Sequence, residues 1–316
     1  MHRVNLCIDG LDIGLEQREP HLPDESENPW RTLLRSRLRG CPTPLLVMPD
    51  ALWSAASLWA GSRAWIQAFR SAGVVAGDRL VCALPEGPAF VQVLVACLWD
   101  EITCVPISAH DDVGRMVVAH DARAVVVMHR AGLEGLDGVF VPDAASQPPD
   151  ALPALRGEAL HASREVALCF AAGGADAGPA VSRWTNHELL DTLQRQPATL
   201  TTADARVLSL AGWHAPFGLI VGLLSPLLHA DEIVRDASGG QDPDVIARTA
   251  LEHDVSHLVV SPAQAERMLQ HPACRELLHR VRDGVIGGGS ISSGLRDALQ
   301  RTRLRIAGAL VGPVLG

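Results

Sequence analysis

The sequence predicts an α/β protein whose mostly parallel sheets carry helices on both faces, arranged as two subdomains. Three observations carry that expectation. Apolar runs of about four to six residues alternate with stretches of about ten to fifteen that show helical periodicity, the rhythm of strand–helix–strand units. The rhythm breaks over 142–164, where Pro142, Pro148, Pro149 and Pro153 cluster, and then resumes. At 316 residues, with 47% hydrophobic and 20% charged side chains, the chain has the composition of a globular protein with a sizeable core.

Residues 1–45 are charged, proline-containing and weakly periodic, and are expected to pack as an extension on the second subdomain. Arg31, Arg35, Arg37 and Arg39 stand near Asp24, Glu25 and Glu27, which reads as a solvated helix face rather than a nucleic-acid patch. The first subdomain is expected over 46–165. Asp50 is placed to cap a helix carrying Leu52, Trp59, Ile66 and Phe69 and ending at Gly73. A strand over 79–84 follows, then a Pro85-Glu86-Gly87 turn and a helix from Pro88 to Trp99, where proline suits the first helical turn. Strands are expected at 104–107 and 124–128, with a helix near 111–121 between them. The second subdomain, 166–316, is expected to hold strands at 166–170, 206–210, 257–260, 284–286 and 305–310. Its helices fall at 186–195, 218–228, 243–253, 262–270 and 293–301. Ser261-Pro262-Ala263-Gln264 has the form of a capping box with proline at the first helical position.

Composition shortens the chemical menu. All 27 basic residues are Arg, and Tyr is absent, so no lysine nucleophile, phosphate-loop lysine or catalytic tyrosine exists. A formal net charge of −9 argues against general binding to nucleic acid or anionic membranes. The 7 cysteines are scattered without a C-x-x-C pair, which supports neither a zinc site nor a redox motif. The amino terminus lacks the apolar core of a signal peptide, and no apolar run has the length of a membrane span, so a cytoplasmic location is expected. His110, Asp111, Asp112 and His120 match no usual metal spacing, and Asp111 reads better as a helix cap. Trp53, Trp59, Trp65 and Trp99 lie on helix patterns and read as core or interface rather than a stacking platform.

Order along the chain brings a resemblance. AGVVAGDRLVCALPEGPAFVQVLVACLWDEITCVPIS followed by ARAVVVM resembles the opening of the adenylate-forming superfamily, which includes acyl- and aryl-CoA synthetases, peptide-synthetase adenylation domains and luciferases. GWHAPFGLIVGLLSPLLHADEIV, VSHLVVSPAQAERML and VIGGGSISSGLRDAL resemble later family segments in the right order. The resemblance implies two stacked doubly wound subdomains, as in the large N-terminal domain of those enzymes. It also implies a phosphate loop of the form T-S-G-[ST]-T-G-x-P-K-G after a strand. The matching run is Phe170 to Val181, which keeps Gly173, Gly174, Gly178 and Pro179 but carries Ala171, Ala172, Ala175 and Ala180 where hydroxyls and the lysine belong. A phosphate loop works through backbone N–H groups, hydroxyls and a positive charge. Asp176 adds repulsion, and Arg183 is the cation nearest in sequence. The family's Y-G-x-T-E motif corresponds to Val311-Gly312-Pro313-Val314-Leu315, with neither hydroxyl nor acid.

The sequence given stops before the family's small C-terminal domain, and the expectation is a degenerate, truncated relative. A fragment of a longer chain is the other reading. His214 and Phe217 fall near the family's substrate pocket, although His214 also reads as a half-buried histidine capping a loop, the more ordinary role. Gly287, Gly288 and Gly289 suit close approach of a ligand or a turn needing positive φ. Gly173, Gly174, Gly178 and Pro179 read as a relic loop. The expected function is a non-catalytic, adenylation-like protein that binds a partner or an acyl or aryl group in biosynthesis. No cofactor is assigned on that reading, and no catalytic or metal-binding residue. An acyl carrier protein, a companion synthetase or a second copy of the chain would be its partner by resemblance. The alternative is a working AMP-forming ligase using ATP and magnesium, with divergent residues or parts supplied by another chain.

Overall fold

The computed structural model describes residues 28–38, 44–108, 111–133, 136, 138–142, 166–172, 180–195, 204–230, 232–307 and 314–315. After helix α1 (Pro29–Leu38), a hairpin of β1 (Pro44–Met48) and β2 (Ala51–Ser54) leads into α2 (Ala55–Ser71). Strand–helix units follow: β3 (Arg79–Ala83), α3 (Pro88–Trp99), β4 (Thr103–Pro106), α4 (Val113–Ala119), β5 (Ala124–Val127) and β6 (Val139–Phe140). The next stretch runs β7 (Val166–Ala172), β8 (Ala180–Thr185), α5 (Asn186–Gln194), β9 (Arg206–Ser209) and α6 (Pro216–Leu219). A π-helical turn (Ile220–Leu224) joins α6 to α7 (Ser225–His229), which precedes β10 (Glu232–Val234) and α8 (Pro243–Glu252). The chain continues through β11 (His257–Val260), α9 (Pro262–Gln270), α10 (Pro272–Arg280), β12 (Asp283–Ile286), α11 (Ser293–Leu299), β13 (Leu304–Ile306) and β14 (Val314–Leu315).

Among the described residues these strands form two seven-stranded sheets. The first has the order β13-β12-β11-β9-β10-β1-β2, parallel except for the β1–β2 hairpin. The second runs β14-β8-β7-β4-β3-β5-β6, parallel from β7 to β6 and antiparallel across β8. The apolar alternation explains the layering. Every residue of α3 from Ala89 to Leu98 is buried, as befits a helix apolar on all sides. It sits with α1, α2, α5 and the π turn in a central layer whose core touches both sheets. Ile246, Leu278, Leu295 and their neighbours on α8 to α11 cover the outer face of the first sheet. The second sheet's outer face packs against Val113, Met116 and Val117 of α4.

Several expectations need correction. The helix expected from Asp50 begins at Ala55, and Ser54 caps it by accepting a hydrogen bond from the Ser57 N–H at 3.1 Å. Leu52 lies on β2 and is 64% exposed. Asp112, not Asp111, caps α4, accepting from the Arg115 N–H at 3.0 Å, while Asp111 accepts from the Ser108 N–H. The expected division into 46–165 and 166–316 does not coincide with the sheets. β1 and β2 join the strands of 206–306, and β7 and β8 join those of 79–140. Helix α1 lies in the extension and packs against α2 and α3 as well as α7, burying Trp30, Leu34 and Leu38. The strand expected over 305–310 is β13 for Leu304–Ile306; residues 308–310 lie outside the described set.

Candidate functional site

In an open parallel sheet the strand carboxyl ends gather loops that can form a site. The first sheet contributes the Leu210–Ala215 loop after β9, Arg235 and Asp236 after β10, and Gly287–Gly289 after β12. The second sheet contributes one loop that reaches across, Leu84–Gly87 after β3. Glu86 sits where they meet. Its Oε1 accepts the backbone N–H of Trp213 at 2.5 Å, and its Oε2 is paired with Nη2 of Arg235. Nδ1 of His214 stands 3.5 Å from Glu86 Oε1, and Nε2 is 2.9 Å from the Leu84 carbonyl oxygen. That carbonyl can only accept, so Nε2 carries a hydrogen.

Arg235 is 5% exposed and its other contacts are inward. Its Nη1 donates to the Ser209 carbonyl, and the guanidinium lies 5.0 Å from the centroid of the Trp213 ring. Trp213 is fully buried, donates Nε1–H to Ser209 Oγ at 3.3 Å, and packs on Phe90 at 5.8 Å between centroids. Gly218 lets α6 start against this loop, since a Cβ there would fall 1.9 Å from the Gly212 oxygen. Asp236 then folds the next loop by accepting the N–H groups of Ser238 at 2.9 Å and Gly240 at 2.8 Å.

Electrostatics follow from these contacts. Burial alone pushes the Glu86 carboxyl up, but the His214 hydrogen bond, the Arg235 charge and the Trp213 N–H outweigh it and hold it below the usual value. His214 shows the converse. Burial lowers it, yet Glu86 and the Leu84 carbonyl favour the protonated ring, and the net direction is up. The network therefore holds charge and locks two sheets together. Among the described residues no group of three or more His, Cys, Asp or Glu is arranged to hold a metal.

The structure gathers some expected site residues and separates others. His214 lies in the network, with both ring nitrogens engaged and its edge toward Phe90 at 5.4 Å. Phe217 is buried, and the β12–α11 turn rests on it. Gly288 has φ +79°, and a Cβ on Gly287 or Gly288 would lie 2.6 Å or 3.0 Å from Phe217 atoms. These glycines thus serve a tight turn packed on the chain's own aromatic ring. Gly289 meets only ordinary contact with Pro262. Gly173, Gly174, Gly178 and Pro179 lie outside the described residues. Arg183 lies in the body of β8, opposite Cys169 of β7 and three residues past Ala180, roughly 10 Å along the strand. Its charge acts on His120 and Cys169, on the α4 side of the second sheet.

Glu86, Arg235 and Trp213 were not singled out by the sequence. Glu86 looked like a turn residue, and its partner Arg235 is 149 residues away. The one available signal was an acid placed directly after a buried strand, where solvent exposure is not expected.

Comparison with known proteins agrees with this architecture. The family model described as AMP-binding enzyme matches residues 39–310. No curated protein matches the sequence. The N-terminal subdomain of Klebsiella oxytoca NpsA, solved with 3-hydroxyanthranilyl-AMSN, superposes with a TM-score of 0.68 at 16% identity, covering 87% of this chain and 71% of that one. VinN in complex with L-aspartate gives 0.68 at 17% identity over 88% and 74%. NpsA-ThdA, an artificially fused adenylation–PCP di-domain from Klebsiella oxytoca, gives 0.69 at 16% identity over 88% and 56%. At such identities the likeness is one of fold.

Proposed function

The chain belongs to the AMP-binding enzyme family, and from that premise we propose that it is a degenerate, non-catalytic member that binds a partner protein or an acyl or aryl group. The observation that carries this reading is the chemistry of the β7–β8 hairpin. Its sequence places Ala171, Ala172, Ala175 and Ala180 where phosphate-binding hydroxyls and a cation would be needed. A triphosphate brings about three to four negative charges, and backbone N–H groups alone leave most of that charge unmet. Arg183 does not restore it, because it stands in the strand body and faces the α4 layer. These residues do not fit ATP.

Beneath the loops that meet at Glu86, Trp213, Phe90 and Phe217 are buried, and the Glu86–Arg235 pair ties the loops of the two sheets together. Solved neighbours of the fold are complexes with 3-hydroxyanthranilyl-AMSN or with L-aspartate, which motivates an acyl or aryl group as the small ligand here. The competing reading is a working AMP-forming ligase with Arg183 in place of the loop lysine. ATP–pyrophosphate exchange, measured across aryl, acyl and amino acids, separates the two. No acid-dependent exchange is expected. Exchange that appears with one acid would refute the non-catalytic reading, and an Arg183→Ala variant would then show whether that cation takes part.

A further inference from the structure

The central helical layer has an open edge that the Glu86 network does not use. There α2 and the end of α3 frame a groove of about 550 Å³. Its floor is Trp59, Ile66 and Trp99, and its rim is Arg63, Gln67 and Arg70. The two indoles touch, with centroids 4.6 Å apart and planes tilted by 57°. Arg35 of α1 places its guanidinium 5.6 Å from the Trp99 ring, so a third arginine overhangs the same wall.

We propose that this groove docks an acidic amphipathic helix of a partner protein. Shape comes first. The lining positions on α2 are 59, 63, 66, 67, 70 and 71, a single face over about three turns, or roughly 18 Å. That is a trough along a helix, the form that accepts a helical peptide rather than a compact ligand. Charge comes second. On a chain with net charge −9, three arginines converge here. Two acids are close. Asp100 is already engaged, accepting from Arg70 Nε at 2.6 Å with Arg31 at 3.7 Å, and Glu101 is the next residue in the chain. Arg63 is exposed and makes no ion pair among the described residues. Arg63 and Arg70 are seven residues apart, about 10 Å, and a facing helix with carboxylates at i and i+7 repeats that spacing, the first meeting Arg63 and the second sharing Arg70 with Asp100. Apolar residues at i+3 and i+4 would then lie on the Trp59–Trp99 wall, giving an aromatic anchor inside a charged rim. The groove lies at the carboxyl end of α3 and the Glu86 network at its amino end, about 18 Å apart along the helix, so this inference stands whether or not the chain activates an acid.

The test uses the full chain and a synthetic helical peptide of about fifteen residues with Glu at i and i+7 and Leu at i+3 and i+4. Binding is read by anisotropy of a label on the peptide and by tryptophan emission of the protein. Micromolar binding is expected, weakened roughly tenfold or more by Arg63→Glu. A peptide with Lys at both positions should bind the Arg63→Glu chain better than the unaltered chain. Trp59→Phe should remove most of the emission change while the labelled peptide still binds. Absence of binding at about 1 mM peptide, or equal affinity in Arg63→Glu, overturns the proposal. So does binding that appears only when Asp24, Glu25 and Glu27 are changed to Lys, because the groove would then belong to the chain's own amino-terminal acids.

Discussion

Removing the charge at Glu86 would leave the guanidinium of Arg235, 5% exposed, without its carboxylate. A buried cation stripped of its partner is costly, whereas exchanging both partners for apolar groups of similar size is often neutral. Glu86 is 18% exposed and water partly solvates the pair, so Glu86→Gln is expected to destabilise by about 2 kcal/mol. Glu86→Met with Arg235→Met should recover most of that loss, as measured by urea midpoints. The pH dependence has a definite sign. The Glu86 carboxyl is lowered in the fold, so its contribution is present above the ordinary carboxylate range and fades as pH falls through the lowered value. His214 is raised, so its contribution is full below the ordinary histidine value and fades as pH rises through the raised one. The gap between the parent chain and Glu86→Gln should therefore be widest between about pH 4.5 and 6.5. A gap independent of pH would contradict this network. His214 stood out through the family resemblance, but its partners did not. A carboxylate and a guanidinium 149 residues apart leave no periodic trace in sequence.

At the scale of elements, local chemistry decided what could be read. Ser261 caps α9 through the Gln264 N–H, and the Gln264 side chain returns to the Ser261 N–H at 2.8 Å, the reciprocal box read from four residues. Gln264 also donates to the Leu210 carbonyl at 2.8 Å, tying the cap to the loop after β9. Ser261→Ala is expected to cost about 1 kcal/mol, seen as a lower thermal midpoint, with the fold retained. Helix α3 was equally plain because its run is apolar throughout and opens at Pro88. The start of α2 misled. Leu52, Trp59 and Ile66 share a seven-residue spacing that fits one helix, yet Leu52 sits on a four-residue strand paired to β1 through a two-residue turn. Strand β8 escaped because Ser182, Arg183 and Thr185 dilute its apolar pattern, and α10 because Arg275, Glu276, His279 and Arg280 interrupt its short apolar stripe. Each depends on tertiary pairing rather than on local propensity.

At the scale of the molecule, the order of elements was readable and their allocation to sheets was not. A proline cluster at 142–164 suggested a division there, but sheet membership crosses it in both directions. The hairpin of β1 and β2 joins the distant strands of 206–306, and β7 and β8 complete the earlier sheet. The two sheets thus share one central core. The proposed non-catalytic function turns on the charge this chain can bring to a nucleotide. Its only side chains of permanent positive charge are arginines, and Arg235, the one in the Glu86 network, is spent on Glu86.

The most direct measurement is calorimetric titration of ATP with magnesium into concentrated protein. No saturable heat up to about 1 mM ATP is the expected result, since neither the β7–β8 hairpin nor the Glu86 network offers a free cation to the phosphates. Saturable micromolar binding would contradict the non-catalytic reading and make the AMP-forming ligase the better description.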